Sequence, residues 1–413
     1  MRKIVIFFLL ILLELHSVAQ IDQSILLIAR NSGTKQLADS SNIRIFGFAN
    51  SLSSQPNVPG PTLTMNEGDS IKIHLWNVSQ GAPHTIHLHG LDVDQQNDGV
   101  PHLSFDVAHQ DHGFYYFKAP HAGTYLYHCH VASTVHVQAG MYGLIIVKPP
   151  DGSNTTWSGG YSFDTELSLF MSEIDTTWHT DSVLLHPHDT SMTVHIVSIP
   201  DYNPQFFLVN GYSDQQIIEN QIELNTDQNK ISYLRLANIG YYGNRVIIPS
   251  QLNARIVSSD GRPLPQLEYS DTIYVYPGER YGVIVDPQSD FSDSIRIEYL
   301  NMNNLLVKGV EKVAVNVGVV GLPDFENKHI TIQVFPNPFK DRLYIKMIIN
   351  KSSKVQINIK DVNGKLVQQV AEKKYTPGEY KLSIENNALI KGTYFITVFT
   401  NKKELIIKKI IKQ

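Results

Sequence analysis

Apolar and polar residues alternate in short runs along most of this chain, as in Ser70-Ile71-Lys72-Ile73-His74-Leu75-Trp76-Asn77 and Gly140-Met141-Tyr142-Gly143-Leu144-Ile145-Ile146-Val147. A period of two puts alternate side chains on opposite faces of a strand. Turns rich in Gly, Pro, Asn and Asp separate the runs, and no long stretch has helical periodicity, so the chain reads as all-β. At 413 residues it is long enough for two or three domains, each with its own core. With 42% hydrophobic and 18% charged residues it is not a disordered protein. Pro149-Pro150-Asp151-Gly152-Ser153-Asn154 is a polar linker. It divides the body into two Greek-key β-sandwiches, expected at 20–150 and 151–327.

Charge marks a further boundary. From Ile330 onward, 15 Lys and one Arg face six acids, a balance of +10 within a chain whose net charge is −5. The third domain is therefore expected at 328–413, again a small β-sandwich. Its lysines alternate with apolar residues, as in Lys354-Val355-Gln356-Ile357-Asn358-Ile359-Lys360, which describes a strand with one wet face and no nucleic-acid patch. At the other end, Met1-Arg2-Lys3 precedes ten apolar residues and then Ser17-Val18-Ala19. That order predicts a cleaved signal peptide over 1–19. No later run is apolar enough to cross a bilayer, so the mature chain is expected to be soluble.

Eleven of the 17 histidines lie between His74 and His136, together with the single cysteine, Cys129. One cysteine permits no intrachain disulfide, and its setting reads as metal chemistry. In an extended strand His128 and His130 share a face, and Cys129 takes the other. His87 and His89 share a face, and His84 lies at odd spacing from both. One site can then collect His84, Cys129, His136 and Met141. A second, on the opposite face, can collect His87, His89, His128 and His130. Two imidazoles, a thiolate and a thioether are the donor set of a blue-copper centre, while imidazoles alone suit copper ions that bind dioxygen. His102, His109, His112 and His121 lie between the clusters and read as solvated loop residues.

At these residues the sequence resembles the multicopper oxidases, the laccase-like cupredoxin proteins. The segments that carry the likeness are His84-Thr85-Ile86-His87-Leu88-His89-Gly90 and His128-Cys129-His130 through His136 to Met141. The resemblance implies type 1 copper on His84, Cys129, His136 and Met141, type 2 copper on His87, and the type 3 pair on His89, His128 and His130. It implies a catalytic role for Cys129 and for His136, the ligand nearest the surface in relatives and so the edge facing substrate. Asp98, in Asn97-Asp98-Gly99, stands where relatives keep an acidic proton relay, and a plain turn residue is the other reading. Phe206-Phe207-Leu208-Val209-Asn210-Gly211 and Pro277-Gly278-Glu279-Arg280-Tyr281 resemble the family's copper-free domain.

The implied activity is oxidation of phenols, aromatic amines or metal ions, one electron at a time, coupled to reduction of dioxygen to water. An axial Met141 implies a lower potential than Leu or Phe would give. A full trinuclear cluster in the family uses eight histidines, and this chain supplies four. Five residues separate His130 from His136 where three is common, a spacing that resembles two-domain members. Three outcomes follow. Another subunit supplies the rest across a homo-oligomer, expected to be a trimer; or a neighbour's second domain donates His186, His188 and His195; or the trinuclear site is reduced, leaving a blue-copper electron carrier or a nitrite-reductase-like protein. The tail, with Val334-Phe335-Pro336-Asn337-Pro338-Phe339 and Asp361-Val362-Asn363-Gly364-Lys365, resembles the C-terminal sorting domain of type IX secretion. It implies export through the periplasm to the cell surface or medium, with the secretion machinery as partner.

Overall fold

The computed structural model describes residues 21–81, 83–185, 199–318, 330–337, 339–340, 342–349, 352–361, 365–385, 389–400 and 403–413. The expected signal peptide and His186, His188 and His195 lie outside these residues. Among the described residues no helix is long and apolar enough to cross a membrane. The chain forms two compact units. The first runs to residue 313 apart from the short pieces 223–228 and 289–293, and the second holds those pieces and 314–413.

Within the first unit, the N-terminal sandwich has eight strands: β1 (Gln23–Gln36), β2 (Asn42–Ala49), β3 (Leu63–Asn66), β4 (Ser70–Asn77), β5 (His87–His89), β6 (His112–Lys118), β7 (Gly123–His128) and β8 (Tyr142–Lys148). A short helix, α1 (Ser133–Ala139), joins β7 to β8. The two sheets are ordered β2-β1-β4-β6 and β3-β8-β7-β5. The pairs β1–β4 and β3–β8 are parallel and the rest antiparallel. In β4 and β6 burial alternates strictly, with Ile71, Ile73, Leu75, Tyr115 and Phe117 turned into the core between the sheets. β7 is buried at every position. Its inner face meets that core through Tyr125 and Tyr127, and its other face packs Leu126 against Phe170, Leu208 and Ala237 of the next sandwich.

That next sandwich is built from β9 (Thr165–Ile174), β10 (Phe206–Val209), β11 (Glu223–Thr226), β12 (Ser232–Asn238), β13 (Gly243–Ile247), β14 (Arg255–Ser259), β15 (Arg262–Tyr269), β16 (Thr272–Val275), β17 (Arg280–Val285), β18 (Phe291–Leu300) and β19 (Val307–Val317). Its sheets are ordered β10-β9-β12-β17-β14-β15 and β11-β19-β18-β13-β16. Two buried arginines tie it to β7. Arg235 donates to Glu166 Oε2 at 2.9 Å and to Thr124 Oγ1 at 3.1 Å, and Arg280, paired with Asp260 at 2.9 Å, donates from Nε to Thr124 O at 3.4 Å. The tail is a sandwich by itself, with sheets of three and four strands over 330–412 around Ile345, Met347, Ile357, Ile359, Ile396 and Val398. The expectation of an all-β chain ending in a small sandwich is met.

Candidate metal centre

The pairing of β5 with β7 sets His87 opposite His128 and His89 opposite Leu126. The segment before β5 is held by a bridge between His84 and Val107. After β7 the chain leaves the sheet, but the Cys129 N–H still reaches Met141 O at 3.0 Å. Cys129 therefore keeps the alternation of the strand and points opposite to its two neighbours.

On the inner side, the ligand atoms of His84, Cys129 and His136 lie within 4.8 Å of one another, and all three residues are fully buried. Nδ1 of His84 lies 3.6 Å from the sulfur and Nδ1 of His136 lies 3.2 Å from it. Met141 is fully buried in the same core. Burial pushes the Cys129 thiol up to about 11. A cation at this point is what would hold it as a thiolate. Soft sulfur beside two imidazoles fits copper better than zinc, which takes no thioether.

On the other side, the ligand atoms of His87, His89 and His128 also lie within 4.8 Å of one another. His130 completes the set, its ring 5.3 Å from that of His87 and 5.9 Å from that of His128, centroid to centroid. A carbonyl oxygen only accepts, so hydrogen bonds to carbonyls fix ring protons. His87 donates from Nδ1 to Asp98 O at 2.8 Å, and His128 from Nδ1 to Cys129 O at 3.0 Å. In both rings the lone pair is then on Nε2, and His128 turns that atom to within 3.4 Å of His89 Nδ1. Burial drives the proton affinity of His128 down to about 3. Burial, the Arg280 guanidinium and His87 bring His89 down to about 4. Both rings are thus neutral, the form a metal binds. The His130 N–H donates to Thr85 Oγ1 at 2.9 Å.

Asp98 sits beside His87, with its carboxylate 3.3 Å from Nδ1 as well as its carbonyl at 2.8 Å. The close approach requires the next residue to be glycine. Gly99 has φ +77°, and a Cβ there would fall 1.9 Å from Ile86 O.

A family model described as "Multicopper oxidase" matches residues 49–152, and a second of the same description matches 174–310. The chain belongs to the multicopper oxidase family. The iron transport multicopper oxidase of Saccharomyces cerevisiae is 29% identical over 245 residues, 58% of this chain and 35% of that protein. The copper-containing nitrite reductase of Alcaligenes xylosoxydans xylosoxydans is 30% identical over 129 residues, 30% of this chain and 38% of the reductase. The match to the yeast protein thus spans about a third of its length. The blue copper oxidase structure from Nitrosomonas europaea covers 74% of this chain and 92% of its own at 24% identity, with a TM-score of 0.56, which shows the fold. The tail, 333–413, matches a model described as "Secretion system C-terminal sorting domain".

In this multicopper oxidase family member the ligand atoms of His84 and His136 converge with Cys129, those of His87, His89 and His128 converge with one another, and His130 lies beside the second group by its ring. One expectation fails. His136 is not near the surface: it is fully buried, with Phe46 at 5.7 Å between ring centroids. The cause is the stretch Thr176–Leu184 of the second sandwich, whose Trp178, Val183 and Leu184 join the core beside Val135 and Ala139 of α1. His179 lies in that cover, buried, and donates from Nδ1 to Arg44 O at 2.7 Å; its ligand atoms are not grouped with those of His87, His89 and His128. His102, His109 and His121 are exposed, as expected; His112 is exposed too but lies on β6 and not in a loop.

Sequence reasoning missed the reach of the second sandwich into the histidine site. Arg280 enters the space that a Cβ on Gly90 would fill, and a Cβ on Gly278 would lie 3.2 Å from His89 Cε1. The run Pro277-Gly278-Glu279-Arg280-Tyr281 was visible as a motif, but nothing in its spacing tied it to His89.

Proposed function

We propose that this chain is an exported multicopper oxidase that couples one-electron oxidation of phenols, aromatic amines or metal ions to reduction of dioxygen to water. His84, Cys129, His136 and Met141 would hold one copper, and His87, His89, His128 and His130 half of a trinuclear set. Copper there would supply electron acceptance at the first group and dioxygen reduction at the second. The observation that carries this reading is the junction at one peptide: the Cys129 sulfur faces two imidazole nitrogens, while its own carbonyl orients His128 in the other cluster.

The residues have distinct tasks. His84 and His136 exclude water and offer Nδ1 to the metal. Thr85 and the Cys129 carbonyl fix His130 and His128. Asp98 holds His87 and stands ready to pass a proton at the open side of that ring. Four histidines leave the second set unfinished, so the active form is a homo-oligomer, a trimer, whose subunits complete the cluster between them. The sorting domain carries the protein across the outer membrane by type IX secretion after passage through the periplasm.

The test is copper content of the purified oligomer together with oxygen uptake on a phenolic donor. More than one copper per chain with oxygen consumption supports the oxidase. One copper per chain and no uptake supports a second reading, an electron carrier. Likeness to a nitrite reductase over 129 residues makes nitrite reduction the control assay; His130, directly after the cysteine, speaks against it.

A further inference from the structure

Outside both clusters, the open face of the β2-β1-β4-β6 sheet carries a second arrangement of histidines. His74 on β4 and His112 on β6 are 38 residues apart, and their strands are in a register that sets Trp76 opposite His112 and His74 opposite Phe114. This diagonal brings His74 Nε2 to 2.8 Å from His112 Nδ1. Imidazole nitrogens bind transition metals at about 2.0–2.1 Å, so two of them at right angles around one ion are about 2.9 Å apart. The pair already has that bite.

The rings are also held in place. His74 stacks on Phe114 at 4.7 Å between centroids, and His112 lies 5.1 Å from Trp76. Fixing the rotamers beforehand removes part of the entropy cost of chelation. The His112 backbone N–H donates to Asp111 Oδ1 at 2.8 Å. Lys72, the nearby cation, has its ammonium over Phe114, 4.6 Å from the ring centroid. Both histidines are accessible, unlike the ligands of the first cluster.

We propose that His74 and His112 form a surface chelate for Cu(II), and more weakly for Zn(II), separate from both histidine clusters. Imidazole donors suit both ions, and Cu(II) binds tighter at a given nitrogen site. In the metal-free pair one ring donates its N–H to the other. On binding, that hydrogen moves to the outer nitrogen of the donor ring, both imidazoles stay neutral, and the two facing lone pairs take the ion. Water fills the remaining positions.

The test uses the full-length copper-loaded protein, stripped of loosely held metal by brief chelator treatment and then titrated with Cu(II). One further Cu(II) per chain is expected, with an electron paramagnetic resonance spectrum of a tetragonal two-nitrogen site. The added ion should quench the Trp76 emission, identified by difference from Trp76→Phe. His74→Gln and His112→Gln should each weaken this ion by on the order of tenfold or more and leave oxygen uptake unchanged. No added ion, or an added ion held equally well by both variants, overturns the proposal.

Discussion

The two donor clusters sit back to back on one peptide, yet they differ in how they are enclosed. His84, Cys129 and His136 are fully buried. In the other cluster His128 alone is buried, while His87, His89 and His130 keep part of their surface. The first group is finished inside one chain: sulfur and two nitrogens converge, and the second sandwich closes over α1. The second is a half-bowl, with the His87 and His128 rings oriented by the Asp98 and Cys129 carbonyls, the His130 backbone held by Thr85, and part of its surface exposed. A sealed site sets its metal's properties by itself. An open one waits for further ligands, which is why oligomerisation belongs to the functional proposal.

The largest break of this comparison is Cys129→Ser. It should remove the intense blue absorption and all oxygen uptake while metal remains on the open side, as read by optical and paramagnetic resonance spectra. Turnover in that variant would sever the link between the clusters. His128→Gln should do the converse, keeping the blue absorption and lowering oxygen uptake by on the order of a hundredfold or more. Equal loss of both signals would mean that the clusters are one structural unit.

A third prediction concerns the cover. Gln138 of α1 donates to Glu173 O at 3.0 Å, and the buried Glu173 carboxylate accepts Tyr202 OH at 3.0 Å and the Tyr242 N–H at 3.1 Å. Burial lifts this carboxyl to about 7 from 4.5. An acid raised on folding stabilises the fold fully below its unfolded value and loses that contribution as pH rises through about 7. Between pH 4 and pH 8 the protein should therefore lose about 3 kcal/mol relative to Glu173→Gln. Denaturant titrations of the two proteins at both pH values measure this, and a constant difference would contradict it. The smallest effect is expected for Gly99→Ala. It should cost about 2 kcal/mol through left-handed strain and the clash with Ile86. It should also weaken metal at the open cluster by displacing Asp98, with the blue site unchanged.

The alternation of histidines around Cys129 was legible because a strand's parity is written directly in residue spacing. Cys129 and its neighbour His128 fall on opposite sides as that parity requires, whereas His136 reaches the sulfur from α1, where strand parity says nothing. The all-β class and the basic terminal sandwich were equally readable, from period-two runs and from a change in charge. What the sequence did not disclose depends on distant register. Trp178, Val183 and Leu184 bury His136 from more than 40 positions away, and no local pattern announces it. Arg280 beside His89, and His74 against His112, are likewise products of strand pairing and domain packing.

The lid that Thr176–Leu184 makes over α1 has a temporal meaning. An ion enclosed by His84, Cys129 and His136 would lie behind that apolar packing, so loading and loss would follow excursions of the fold. Its residence would be governed by how seldom the two sandwiches part, and a chelator in the medium would act at the pace of the protein's breathing.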